Sequence, residues 1–225
     1  MHGIILKTLQ AFVIDTYGED AWLAVQDEAD IEEKVYVPVT VYPDGDVYEI
    51  ARTAGELTDQ SPRTILTQYG KWVVPALLET YDLHIDDEWE GLELIANIQQ
   101  FHTSLRTRDM TTLTTPRIRS ERLDENRVRI TYDSDRKLCD VARGAIQGVA
   151  ERFDEELVAE EQTCMHEGDD ACQFEIRRRT APRSGAAADS RSEAEADAEQ
   201  QSGFEFETDA ESESTADAPR GGTDD

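Results

Sequence analysis

The sequence predicts an α+β domain over residues 1–180, a helical N-terminal part followed by a mainly antiparallel sheet with helices, and a separate acidic tail over 181–225. Three observations predict this. Apolar residues recur at helical spacing up to about residue 108; the period changes to two at Arg117; and after Thr180 the composition becomes Ala, Ser, Gly, Asp and Glu. The tail carries thirteen acidic residues against Arg183, Arg191 and Arg220, with Phe204 and Phe206 as its only large apolar groups. Such a segment buries too little to offset the entropy of folding, so it is expected to be disordered.

Ile5, Leu9, Phe12 and Val13 share one helix face and stop before Gly18, a residue suited to ending a helix. The stretch Tyr17–Trp22 is read as a turn. Val47, Ile50, Ala51, Ala54 and Leu57 repeat the helical pattern over 46–57. Ser61-Pro62 reads as an N-cap followed by a first-turn proline, opening a helix that Pro75 should kink or interrupt. A further long helix is expected from Glu88 to about Arg108, with Ile95, Ile98, His102 and Leu105 on one face. Alternating residues then predict a hairpin from Arg117 to Tyr132 around Asp124-Glu125-Asn126, and helical spacing returns from Leu138 to Phe153. A second hairpin, 157–165 with 171–178, flanks Glu167-Gly168-Asp169-Asp170.

Charge narrows the function classes. The chain has 22 basic and 50 acidic residues, a formal net charge of −28, and only four lysines. That balance suits a salt-adapted, halophilic surface, where screening removes most of the self-repulsion. It argues against nucleic acid, whose phosphates demand a basic face. No run of apolar residues is long enough for a membrane span and no signal peptide is apparent, so a cytoplasmic protein is expected. Three cysteines do not make a disulfide framework and read as thiols or metal ligands. No nucleophile–base pair, phosphate loop or paired carboxylate site stands out, so an enzyme is not expected.

The segment Tyr132-Asp133-Ser134-Asp135-Arg136 offers a phenol, a hydroxyl and a guanidinium at i, i+2 and i+4. Those groups suit an anionic pair such as the two carboxylates at a haem edge, with Arg136 supplying the charge-assisted fork. His102 lies on an apolar helix face thirty positions earlier. Alone, such a histidine is most often a core residue bonded to a backbone carbonyl; neutral imidazole is also a good iron ligand.

The order of these motifs carries a resemblance. Met1-His2-Gly3-Ile4-Ile5-Leu6-Lys7, then Tyr17-Gly18-Glu19-Asp20-Ala21-Trp22, His102, Pro116 and Tyr132/Ser134/Arg136 fall in the order found in the haem nitric oxide/oxygen-binding (H-NOX) family, over residues 1–178. The resemblance implies haem b sandwiched between the helical part and the sheet, His102 as iron ligand, and Tyr132, Ser134 and Arg136 as the propionate clamp. It places Pro116 against the macrocycle, a position where simply opening a strand is the alternative role. It also implies Leu9, Val73 and Val141 as pocket positions. With no hydrogen-bond donor among those three, the distal wall is expected to be apolar and the ligand to be nitric oxide rather than oxygen, because bound oxygen gains much from a donor. Signalling would run through release of His102 to a separate partner such as a histidine kinase, a cyclase or a chemotaxis receptor.

Some bacterial members of that family hold zinc with four cysteines. Three positions match Cys139, Cys164 and Cys172, and either Glu161 or His166 stands in for the fourth ligand; buried, inert cysteines are the alternative. The stretch Cys164–Ile176 also resembles the end of the 4-vinyl reductase domain, a small-molecule-binding relative. A haem-free binding module, with or without a zinc or redox site, is therefore the competing function.

Overall fold

The computed structural model describes residues 1–179 apart from 30, 32–34, 39, 83–84, 87 and 108–115, and without the side chains of 101 and 104–107. The expected tail and the side chain of Leu105 therefore lie outside the described residues. The described chain runs α1 (Gly3–Tyr17), α2 (Glu19–Glu28), α3 (Gly45–Thr58), α4 (Pro62–Thr80), α5 (Gly91–Ala96), α6 (Ile98–Thr107), β1 (Arg117–Asp124), β2 (Arg127–Asp133), α7 (Cys139–Arg152), β3 (Leu157–Thr163) and β4 (Cys172–Arg178). Helices come first and an antiparallel sheet follows, as the change of period predicts. No described helix is long and apolar enough to cross a membrane.

The helical part buries Leu6, Leu9, Phe12 and Val13 of α1 against Ile50 of α3 and Ile65 and Tyr69 of α4. Gly18 ends α1 at φ +94°, and its amide donates to the Ile14 carbonyl at 2.9 Å. The chain does not merely turn there. Glu19–Glu28 is α2, which opens with two acidic residues and buries Trp22 and Val25 three positions apart. Ser61 caps α4 by accepting from the Thr64 amide at 3.1 Å.

Two expectations about helix ends are corrected. Of the kink or interruption expected at Pro75, the interruption does not occur, and α4 continues to Thr80. The Lys71 carbonyl, which Pro75 leaves without its intrahelical donor, faces α7 so closely that a Cβ on Gly148 would lie 2.6 Å from it. The expected helix 88–108 is two helices, α5 and α6, separated at Asn97. The Asn97 amide side chain donates to the Glu93 carbonyl at 2.9 Å, a local bond that competes with continuing the helix.

The sheet order is β1-β2-β4-β3, all antiparallel, so the two hairpins join through β2 and β4. Register pairs Val128 with Ile176, Ile130 with Phe174 and Tyr132 with Cys172. These residues face inward with Leu92, Leu94 and Ile95 of α5 and Ile146 and Val149 of α7, forming a second core. Helix α4 packs most extensively against α7. The contact is nearly backbone to backbone: a Cβ on Gly144 would lie 1.9 Å from the Thr67 carbonyl, and one on Gly70 2.2 Å from the Val141 carbonyl.

Gly144→Ala should therefore force the helices apart and lower stability by about 1–3 kcal/mol. Gly45→Ala, where nothing lies within 4 Å of the added carbon, should be neutral or stabilise by about 0.4–1 kcal/mol. Urea unfolding of the two variants checks this; equal midpoints would mean that the crossing has slack.

Candidate functional site

Between the two cores lies a cavity of about 340 Å³, within the range of small-molecule sites. Its walls come from the start of α1, the C-terminal half of α4, helices α5 to α7, and β1 and β2. His102 of α6, Pro116 just before β1, Tyr132 at the end of β2, Ser134, Arg136 and Val141 of α7 all line it. Residues spread over forty positions of sequence thus share one space. Most of the lining is aliphatic, with Ile5, Val74, Leu77, Ile95, Ile130 and Ile146 prominent.

The polar residues gather on one loop. Ser134 to Lys137 is a tight turn closed by the Lys137 amide on the Ser134 carbonyl at 2.9 Å, with Lys137 at φ +46°. Strand β2 has already ended at Asp133, so the turn rather than a continuing strand delivers Arg136. Tyr132 is buried, and burial pushes its phenol well above the usual range, offset in part by the neighbouring Ser134 hydroxyl. The Tyr48 hydroxyl donates to the Arg136 carbonyl and fixes the turn from α3, and burial pushes that phenol up to about 12. Arg136 Nε donates to Asp44 at 2.8 Å, and the Met1 amino group lies 2.5 Å from the same carboxylate. Burial alone would raise the Asp44 carboxyl, but the two cations outweigh it and hold the group below the usual carboxylate range.

Leu9 and Val73 are not in the cavity. Both are buried in the helical core, and the lining instead takes Ile5, one turn earlier on α1, and Val74, one residue and so about 100° around α4. Two polar side chains that the sequence reading passed over, His2 and Tyr81, also line the cavity. Tyr81 was legible as the next member of the 74, 77, 78 face. His2 had no periodic signal, because it precedes the first helical turn.

Beside Tyr132 lies a second cluster. Cys139 opens α7, Cys172 opens β4 opposite Tyr132, Cys164 follows β3, and Glu161 projects from β3; their ligand atoms all lie within 4.8 Å of one another. Glu161 Oε2 accepts from Arg143, while its Oε1 is buried with no hydrogen-bond partner among the described residues. His166 does not join these three cysteines. It sits on a 3₁₀ turn, with Nε2 2.9 Å from the Lys137 carbonyl, and groups instead with Cys139 and Asp140. Asp140, almost fully buried, accepts from Arg63 Nε at 3.2 Å and ties α7 to α4. All three cysteines are free and buried, and burial pushes the Cys139 and Cys172 thiols upward.

A family model described as haem-NO-binding matches residues 2–161. The stretch Cys164–Ile176 lies beyond that match. Among solved structures, an H-NOX protein from S. oneidensis in the Fe(II)NO ligation state is 22% identical with a TM-score of 0.74, covering 80% of this chain and 100% of that one. An I5F mutant of the T. tengcongensis H-NOX is 21% identical with a TM-score of 0.72, covering 80% and 98%. No curated protein matches the chain.

In native, metal-free protein at pH 8 the three thiols should react with a water-soluble thiol reagent at least about tenfold more slowly than after denaturation, when all three become available. Fast native labelling of any one would contradict its burial.

Proposed function

We propose that this chain, which belongs to the haem-NO-binding family of gas-sensing domains, binds haem b in its central cavity and senses nitric oxide through it. The observation that carries the reading is the convergence of His102, Pro116, Tyr132, Ser134, Arg136 and Val141 on one largely aliphatic cavity. The donor set fits the group: one imidazole for iron, and a phenol, hydroxyl and guanidinium together at one end for carboxylates. Bound haem would supply the iron that takes a diatomic gas.

The chain's own residues supply the rest. His102 would offer an imidazole nitrogen from α6. Arg136, oriented by Asp44 and Tyr48, would hold a carboxylate in a charge-assisted fork, and Tyr132 and Ser134 would add hydroxyl donors. Pro116 presents a rigid ring just before β1. Val141, Ile5 and Val74 offer no donor to a bound gas, which favours nitric oxide over oxygen; Tyr81 and His2 are the residues of the lining that a test of this selectivity must include. His102 would tie α6 to the iron, and its release would free that helix, whose Gln99 side chain accepts from the Ser120 amide of β1 at 3.3 Å. Output then belongs to a separate signalling protein, of the histidine kinase, cyclase or chemotaxis-receptor kind, that prefers one arrangement of α6.

The second cluster supports a zinc site of three thiolates from Cys139, Cys164 and Cys172 with Glu161 as the fourth ligand. An unpartnered, buried carboxylate oxygen beside three thiols is costly unless a cation takes it. Glu161 replaces His166 in this reading because His166 is already held by the Lys137 carbonyl.

The visible spectrum of anaerobically reduced, haem-loaded protein tests the first part. A stoichiometric Soret band that shifts under nitric oxide but not under oxygen is expected, and His102→Gly should retain haem only with added imidazole. No band under full loading would point to a haem-free apolar ligand instead, and a stable oxygen complex would show that the cavity supplies a donor. Elemental analysis of protein purified without chelator should find about one zinc per chain, falling with Glu161→Ala and unchanged with His166→Ala. The reverse pattern would restore His166 as the ligand.

A further inference from the structure

The cavity contains two imidazoles, and the reading above uses one. His2 stands immediately before α1, and its backbone is held on both sides. It bridges Val41; the Tyr42 amide donates to the Met1 carbonyl at 2.8 Å; and the Gly3 amide donates to the Thr40 carbonyl at 2.8 Å. Gly3 is pressed so tightly onto this segment that a Cβ would fall 2.0 Å from the Val37 carbonyl. Position 2 therefore cannot slide along the cavity wall.

Its location is the carboxylate end. His2 lines the cavity together with Ser134 and Arg136, and the neighbouring Met1 amino group shares the Asp44 carboxylate with Arg136, at 2.5 and 2.8 Å. Among the described residues the His2 ring has neither a hydrogen bond nor an ion pair. Burial first, and the nearby amino group second, lower its pKa, so the ring is a neutral imidazole with one N–H to donate.

A haem presents two carboxylates, and the 132–136 segment offers them one guanidinium, whose Nε is already given to Asp44. We propose that His2 donates a hydrogen bond to the second haem carboxylate, extending the clamp from the β2–α7 turn to the start of α1. The proposal rests on the haem reading. It makes His2 a cofactor-binding residue and ties the N-terminal helix directly to the cofactor's edge.

The test is the rate of haem transfer to excess apomyoglobin from the unsubstituted protein, His2→Phe and His2→Gln, each loaded with haem or with its dimethyl ester. His2→Phe should lose haem on the order of tenfold faster, and His2→Gln, which keeps an N–H donor, should recover most of the difference. With the ester, whose carboxylates are blocked, the unsubstituted protein and His2→Phe should release at the same rate. Equal haem loss from the unsubstituted protein and His2→Phe, or an equal acceleration with haem and ester, would overturn the His2 assignment while leaving the haem reading intact. Failure of the unsubstituted protein to take up stoichiometric haem would overturn both.

Discussion

The rest of the structure depends on the contact of α4 with α7, where Gly70, Gly144 and Gly148 let two helix backbones touch. Helix α4 belongs to the first core through Ile65, Leu66, Tyr69 and Val73, whereas α7 belongs to the second through Cys139, Ile146 and Val149. The crossing joins the two cores with the helix backbones in close approach. Because protein interiors are close-packed and do not deform smoothly, such a contact holds the two walls at one spacing. Both helices then turn their next faces to the cavity, α4 with Val74, Leu77 and Leu78 and α7 with Val141, Ala145 and Ile146. The cavity lies where the two cores diverge on either side of a fixed crossing.

Charge is distributed to match. A chain carrying a net charge of −28 nevertheless places cations at the points that fix α7 and the turn before it. Arg136 anchors the turn to Asp44, Arg63 anchors Asp140 from α4, and Arg143 meets Glu161 across the cysteine cluster. Arg136 and Asp44 are partly open to solvent, so their pair contributes modestly to stability; its importance is orientation. Asp140 differs, being buried and held by hydrogen bonds from Arg63, so the start of α7 tolerates little displacement. The turn of residues 134–137 and the cysteine cluster are consequently neighbouring parts of one rigid feature. Tyr132 and its strand partner Cys172 project from the same face of the sheet, the first lining the cavity and the second joining the thiols.

Much of this was legible in the sequence. Helical and alternating periods located α1, α3, α4, α7 and both hairpins, because a face that must be buried leaves its period in the chain. The second helix was not legible as such: Glu19–Glu28 buries only Trp22 and Val25, too few residues to establish a period. Asn97 could be recognised as a poor helix residue but not as a break, since that depends on its bond to Glu93. Of the two expectations for Pro75, a kink or an end to the helix, the second fails: α4 runs on to Thr80, with the Lys71 carbonyl packed against Gly148.

By itself the sequence determined the order of elements, the α+β class and the chemistry available at positions 102, 132, 134 and 136, since periodicity and residue type are properties of the chain alone. Only the tertiary structure decided which side chains meet. A rotation of one residue on α4 exchanges Val73 for Val74 in the cavity, and one turn on α1 exchanges Leu9 for Ile5. The hairpin register sets Glu161 beside the cysteines while the Lys137 carbonyl takes His166. His2 enters the cavity because its backbone is bridged to Val41. These outcomes rest on distances of a few ångströms between segments remote in sequence, and local propensity carries no record of them.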